Sequence, residues 1–146
     1  MSPTNVLIAD HEEARRAACV RLLQPEKGIR VIGEVRNGLE AIAATAKLKP
    51  HVLLLNLNLL KGKEISLLLV LRQKSPRTKV ILLTRRVPES RILEALSYGA
   101  MGYLEEKVIS TFLPKAVRLV DAGEAWVPRE MVSRIIGRLA NLIAQE

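Results

Sequence analysis

Asp10, Asn56 and Thr84 each close a short apolar run: Val6-Leu7-Ile8-Ala9, Val52-Leu53-Leu54-Leu55 and Val80-Ile81-Leu82-Leu83 in turn. Glu105, Glu106 and Lys107 follow a fourth stretch, Met101-Gly102-Tyr103-Leu104. Runs that are apolar at every position suit strands covered on both faces. On open parallel sheets, ligands and chemistry gather at the carboxyl ends of the strands. These six residues should therefore converge, although they are far apart in sequence. The chemistry open to them is narrow. Asp10 is a lone carboxylate with His11 beside it, and neutral imidazole is a poor ligand for a hard, oxygen-seeking ion such as Mg²⁺. His11 and His51 have no cysteine or acid at metal-ligand spacing, which argues against zinc, and no metal site is expected. No G-x-x-x-x-G-K-[ST] loop occurs, so Gly33, Gly38 and Gly62 read as turn residues. The single cysteine, Cys19, lies in an apolar helical setting, reads as a buried inert thiol and excludes an internal disulfide.

The elements that must position these residues alternate. Residues 29–35 are more mixed and read as an outer strand. Helical patterns occupy 12–23, 38–48, 64–73, 89–98 and 110–122. The first places Ala14, Ala17, Ala18, Arg21 and Leu22 at helical spacing; the third carries Ile65, Leu68, Leu69 and Leu71. Pro88 suits a first helical turn, and Gly99 and Gly123 are stops. Five strand–helix units predict an α/β fold, a flavodoxin-like (βα)5 doubly wound parallel sheet in the order 2-1-3-4-5. An extra helix follows Pro128, over 129–144, with Val132, Ile135, Ile136, Leu139, Leu142 and Ile143 as a stripe. It reads either as a cover for the domain or as a linker or dimerisation helix leading to a further domain. The expected division is 1–127 for the domain and 128–146 for this helix.

Composition bounds the rest. The 146 residues, 49% hydrophobic, suffice for one domain with a sizeable core. No apolar run reaches a membrane span and no signal-peptide pattern opens the chain, so a soluble cytoplasmic protein without a membrane partner is expected. A net charge of +8 fits either a solvated basic surface or contact with nucleic acid or another acidic partner. Lys61, Lys63, Arg72, Lys74, Arg77 and Lys79 are expected along one side of the sheet, where they could touch phosphates, but no helix-turn-helix follows. Aromatic content of 3% disfavours a base-stacking platform. The sparse aromatics and missing phosphate loop also argue against a flavin enzyme. No cofactor and no enzymatic activity are expected.

Several of these stretches carry a family resemblance. Val6-Leu7-Ile8-Ala9-Asp10-His11 resembles the opening of response-regulator receiver domains of two-component signalling, which usually has two adjacent acids. Leu53-Leu54-Leu55-Asn56-Leu57-Asn58 is similar to the strand ending in the phospho-accepting aspartate. Leu83-Thr84 resembles the strand ending in the switch hydroxyl. Gly99-Ala100-Met101-Gly102-Tyr103-Leu104 resembles the G-A-x-G-Y-L stretch before the family's lysine. Gly123-Glu124-Ala125-Trp126 is similar to the closing segment of the NarL/FixJ (LuxR-type) subfamily. The resemblance covers about the first 128 residues.

It implies phosphoryl transfer from a histidine kinase to an aspartate with Mg²⁺. That needs a carboxylate nucleophile, acidic oxygen ligands and a lysine. Here Asn56, a neutral amide, stands at the nucleophile position. The acid pair is reduced to Asp10 with His11. Glu106 stands at the lysine position, with Lys107 one residue later. Thr84 and Tyr103 match the two switch positions. Arg85 and Arg86 follow Thr84, either facing water or forming an ion pair in the pocket with Asp10 or Glu106. The expectation is an atypical, phosphorylation-independent receiver that regulates output, in this subfamily transcription, through contacts with a protein partner or itself. DNA would be reached only through a C-terminal domain outside this chain. The alternatives are a conventional phospho-receiver using the displaced Lys107 and a basic nucleic-acid-binding module.

Overall fold

The computed structural model describes residues 2–145. Five strands, β1 (Thr4–Ala9), β2 (Ile29–Val35), β3 (Val52–Asn56), β4 (Lys79–Thr84) and β5 (Gly102–Glu105), form one sheet in the order β2-β1-β3-β4-β5. All four pairings are parallel, as the flavodoxin-like expectation requires. The central runs are apolar throughout because each strand sends alternate side chains to two covered faces. Leu7, Ala9, Leu53, Leu55, Val80 and Leu82 join one core cluster. Val6, Ile8, Val52, Leu54, Ile81 and Leu83 join the other. β2, on the edge, is only partly buried, which explains its mixed sequence.

Helices α1 (Glu13–Leu23) and α5 (Glu106–Asp121) contact each other and supply Cys19, Leu23, Leu113 and Val117 to the second cluster. Helices α2 (Gly38–Leu48), α3 (Glu64–Lys74) and α4 (Glu89–Ser97) cover the first. The Cys19 thiol is fully buried, and burial pushes its pKa up to about 12, so it is inert at neutral pH. Among the described residues, no helix is long and apolar enough to cross a membrane.

Several local expectations are corrected. The inward face of α1 is not the Ala14, Ala17, Arg21 stripe; Arg15, Cys19 and Leu23 are buried, whereas Ala14 and Arg21 are exposed. A buried arginine has no apolar signature, so periodicity selected the wrong face. In α3, Leu67, Leu68 and Leu71 are buried while Leu69 is 48% exposed. Helix α5 begins at Glu106 rather than at 110, so Glu106 lies in its first turn, where the helix dipole favours an anion. β5 is shifted one residue, to Gly102–Glu105. The six basic residues do not all lie along one side of the sheet, since Lys79 reaches α5 on the face opposite α3. Lys61 and Lys63 precede α3, Lys74 ends it about 16 Å away along the helix axis, and half-buried Lys79 donates to the Asp121 carbonyl at 3.2 Å.

The last helix, α6 (Arg129–Ala144), packs on α4. Met131 is buried in the same cluster as Ile92, and Ile135 packs against it. Arg134 pairs with Glu89 at 3.1 Å and Arg138 with Glu94 at 3.1 Å. The connection into α6 is anchored by Trp126: its N–H donates to the Met101 carbonyl at 2.9 Å, its carbonyl accepts from Tyr103 at 3.1 Å, and its ring packs on Phe112 with centroids 5.7 Å apart. Gly102 permits this approach, because a Cβ there would lie 2.8 Å from the Trp126 carbonyl oxygen.

Candidate functional site

The strand order reverses between β1 and β3, and crevices open at the carboxyl ends of strands at such points. Asp10 follows β1, Asn56 ends β3 and Thr84 ends β4; all three are buried. The Asn56 side-chain oxygen accepts from the Asn58 N–H at 2.8 Å, which shapes the 3₁₀ turn Leu57–Leu60.

The centre of the site is a residue that the sequence patterns did not single out. Arg15, in the first turn of α1 and 8% exposed, turns its guanidinium onto Asp10. Nε donates to Oδ2, and Nη2 donates to Oδ1 at 3.3 Å. Nη1 reaches across to Glu106 Oε2 at 3.0 Å, and Nη2 also pairs with Glu12 at 3.1 Å. Asp10 Oδ1 further accepts the Glu12 backbone N–H at 2.9 Å. Both oxygens of the lone carboxylate are thus engaged by one planar donor in bidentate fashion.

The electrostatics follow from these contacts. Burial raises the Asp10 pKa, but the Arg15 guanidinium, the Glu12 N–H and the Asn56 side chain together outweigh it and hold the carboxyl below its ordinary value. For Arg15, burial favours the neutral form, but Asp10, Glu12 and Glu106 together outweigh it and hold the guanidinium more firmly charged than usual. Glu106 also receives Arg85, whose Nε lies 3.4 Å from the same Oε2. The pocket is therefore a chain of alternating charges: Asp10, Arg15, Glu106, Arg85. A divalent cation would have to compete with a covalently tethered guanidinium for the lone pairs of Asp10. A phosphoryl group would meet a carboxylate at residue 106.

The other sequence candidates lie around this chain or away from it. His11 is exposed, with Nδ1 3.6 Å from Asp10 Oδ1. Lys107 does not enter the pocket; it is 78% exposed and pairs with Glu105 at 3.4 Å. Arg86 is exposed with a left-handed φ of 52° and is in none of the ion pairs found among the described residues. Tyr103 is half-buried against the cluster containing Ile92 and Met131; burial, with Glu105, Glu89 and Glu130 nearby, raises its phenol pKa. On α6, Val132, Ile136, Leu139 and Ile143 are exposed, Ile135 faces the domain and Leu142 is intermediate.

A second buried ion pair lies one helix away. Glu64, 2% exposed, accepts from Arg91 of α4, which also donates to the Leu57 carbonyl at 3.2 Å. Helix α4 is therefore held to the β3–α3 connection on one side and to α6 on the other. No apolar pattern marks this pair, and only an acid at the start of a helix hinted at it.

Fold and pocket define a module with a charged, ion-paired site at the strand ends of a five-stranded parallel sheet. The chain matches the family "Response regulator receiver domain" over residues 6–118 and belongs to it. Among relatives, it is 28% identical over 131 residues to the transcriptional regulatory protein LnrK of Bacillus subtilis, covering 90% of this chain and 60% of LnrK. It is 29% identical over 133 residues to the DNA-binding transcriptional activator DevR/DosR of Mycobacterium tuberculosis, covering 91% and 61%. The chain thus spans about three-fifths of the length of these relatives. Among solved structures, the apo receiver domain of RcsB from Salmonella enterica serovar Typhimurium matches with a TM-score of 0.78 at 27% identity, over 92% of this chain and 98% of that one.

Proposed function

We propose that this chain is the receiver part of a transcriptional response regulator that works without phosphoryl transfer, its pocket closed by an internal cation. The observation that carries this reading is Arg15 bridging Asp10 and Glu106. The guanidinium stands where Mg²⁺ and a phosphoryl group would need oxygen ligands and a lysine. The Asn56 amide oxygen is a poor nucleophile and would not give a stable acyl phosphate. The residues present do not fit Mg²⁺: both oxygens of the one carboxylate, Asp10, are taken by Arg15.

Output then passes through surfaces. Helix α6 serves as a linker or dimerisation helix, with its outer stripe as the contact between two copies. Contact with DNA is assigned to a C-terminal domain, in keeping with the relative DevR/DosR, a DNA-binding transcriptional activator. Support comes from a related structure, that of two RcsB dimers bound to two parallel DNAs, at 25% identity. The cytoplasm is the compartment this role requires. The test is incubation with acetyl phosphate and Mg²⁺ followed by intact mass. Unmodified protein is expected; a specific phosphoryl adduct would restore the displaced-lysine reading, for which Lys107 would have to leave Glu105.

The net charge of +8 favours a second reading, direct binding of a nucleic-acid duplex. A salt-dependent mobility shift with a nonspecific duplex at physiological salt would support it, and no shift removes it.

A further inference from the structure

A groove of about 770 Å³ runs between the N-terminal halves of α2 and α3, beside the pocket but outside it. Its apolar lining is Leu39, Ile42, Leu59, Leu60, Leu67 and Val70, with Asn37, Asn58 and Ser66 also lining it. Leu39, at its edge, is 82% exposed, more than any other large hydrophobic side chain among the described residues. The rim is cationic: Arg36, Lys61 and Lys63, with His11 at one end. No carboxylate is among the fourteen lining residues. Arg36, Lys61 and Lys63 take part in none of the ion pairs found among the described residues. All three are exposed, and the nearby Glu40 accepts the Arg36 backbone N–H at 2.9 Å rather than its guanidinium. Three solvent-facing cations thus flank an apolar trough.

We propose that this groove binds a small amphiphilic anion, a long-chain carboxylate, with its chain against the apolar lining and its head between Lys61, Lys63 and Arg36. The volume lies within the range of single-molecule sites, roughly 300–1,000 Å³, which fits one soluble amphiphile better than a membrane surface. Charge complementarity selects the head group, and the apolar side chains of the lining select the tail. The groove meets the pocket at His11, whose Nδ1 lies 3.6 Å from Asp10 Oδ1, whereas Arg36, Lys61 and Lys63, which carry the proposal, share no ion pair with Asp10 or Glu106.

The test is calorimetric titration of the chain with monomeric dodecanoate, with dodecanol as the uncharged comparator and circular dichroism to establish that each variant is folded. One saturable site is expected, with dodecanol and the Lys61→Glu/Lys63→Glu variant each weaker by about tenfold or more, the scale of a lost charge-assisted contact. Leu39→Ser should weaken both ligands, since that residue projects into solvent and the fold does not need it. No saturable binding, equal binding of dodecanol, or indifference to both variants would overturn the proposal. So would binding confined to anionic phospholipid vesicles, or a doubled solution mass abolished by Leu39→Ser in place of dodecanoate binding, which would assign the groove to a second copy.

Discussion

Arg15 Nη1 lies 3.0 Å from Glu106 Oε2, joining the first turn of α1 to the first turn of α5 across ninety-one positions of sequence. The same guanidinium is bonded to Asp10. Two features that look like damage when taken singly, a lone aspartate and a glutamate at a lysine position, are thereby complementary. The side-chain exposures, 7% for Arg15 and 0% for Asp10, place this pair where water screens it little.

Removal of one partner should therefore cost more than removal of both. Arg15→Met is expected to lower stability by about 3 kcal/mol, because it strands a buried carboxylate. Adding Asp10→Asn to it should recover most of that loss. Urea unfolding of the two single variants and the double variant gives the coupling energy. Additive losses would mean that the pair does not act as a unit.

The pair also sets an acid limit. Asp10 has a folded pKa below its ordinary value of 3.8. Its contribution to stability is complete above the ordinary value and is lost as the pH falls through the lower folded value. Thermal melts of the wild type should show this loss below pH 3.8. The Asp10→Asn/Arg15→Met variant should lack that component. An identical acid profile in the two proteins would contradict the assignment.

Gly102 holds the closing segment against β5. Gly102→Ala would drive a Cβ to 2.8 Å from the Trp126 carbonyl oxygen and 2.9 Å from its Cβ. A loss of about 2 kcal/mol is expected from overpacking against backbone, with the Trp126 fluorescence shifted toward that of an exposed indole. Unchanged emission and stability would show that the segment is not anchored there.

The outer face of α6 supplies a test of self-association that spares the fold. Ile136 is 61% exposed and Ile143 70% exposed, whereas Met131, which seats the helix, is 3% exposed. Ile136→Glu with Ile143→Glu should leave the melting temperature within a degree or two, as usual for surface positions. It should convert a dimeric solution mass to a monomeric one. A wild-type protein that is monomeric at every concentration would remove α6 as the dimer element.

The sheet was readable in the sequence because its physics is repetitive. A strand covered on both faces must be apolar at every position, and Val6 to Ala9, Val52 to Leu55 and Val80 to Leu83 are. The helix stops at Gly99 and Gly123 were readable because both residues take positive φ, 111° and 97°. Arg15 was not readable. Helix α1 mixes arginine and alanine on all sides, and a guanidinium that is buried because an acid five residues earlier receives it leaves no periodic trace. Glu106 could be located by alignment with the lysine position, and Arg85, just after β4, is one of the two arginines the sequence offers as its partner and does pair with it; Arg15 emerges only when α1 and α5 are brought together. The outward stripe of α6 was legible; the split that sends Ile135 to the domain and Ile136 to solvent depends on how the helix rests on α4.

The most direct measurement is a titration of the wild type and of Asn56→Asp with Mg²⁺ and beryllofluoride, followed through the backbone amides of Asp10, residue 56 and Thr84 by NMR. With Arg15 seated on Asp10 and Glu106 opposing a negative ligand, neither protein should show a saturable change. A second, slowly exchanging set of signals in Asn56→Asp would contradict the account, because it would mean that the guanidinium yields its place to the metal.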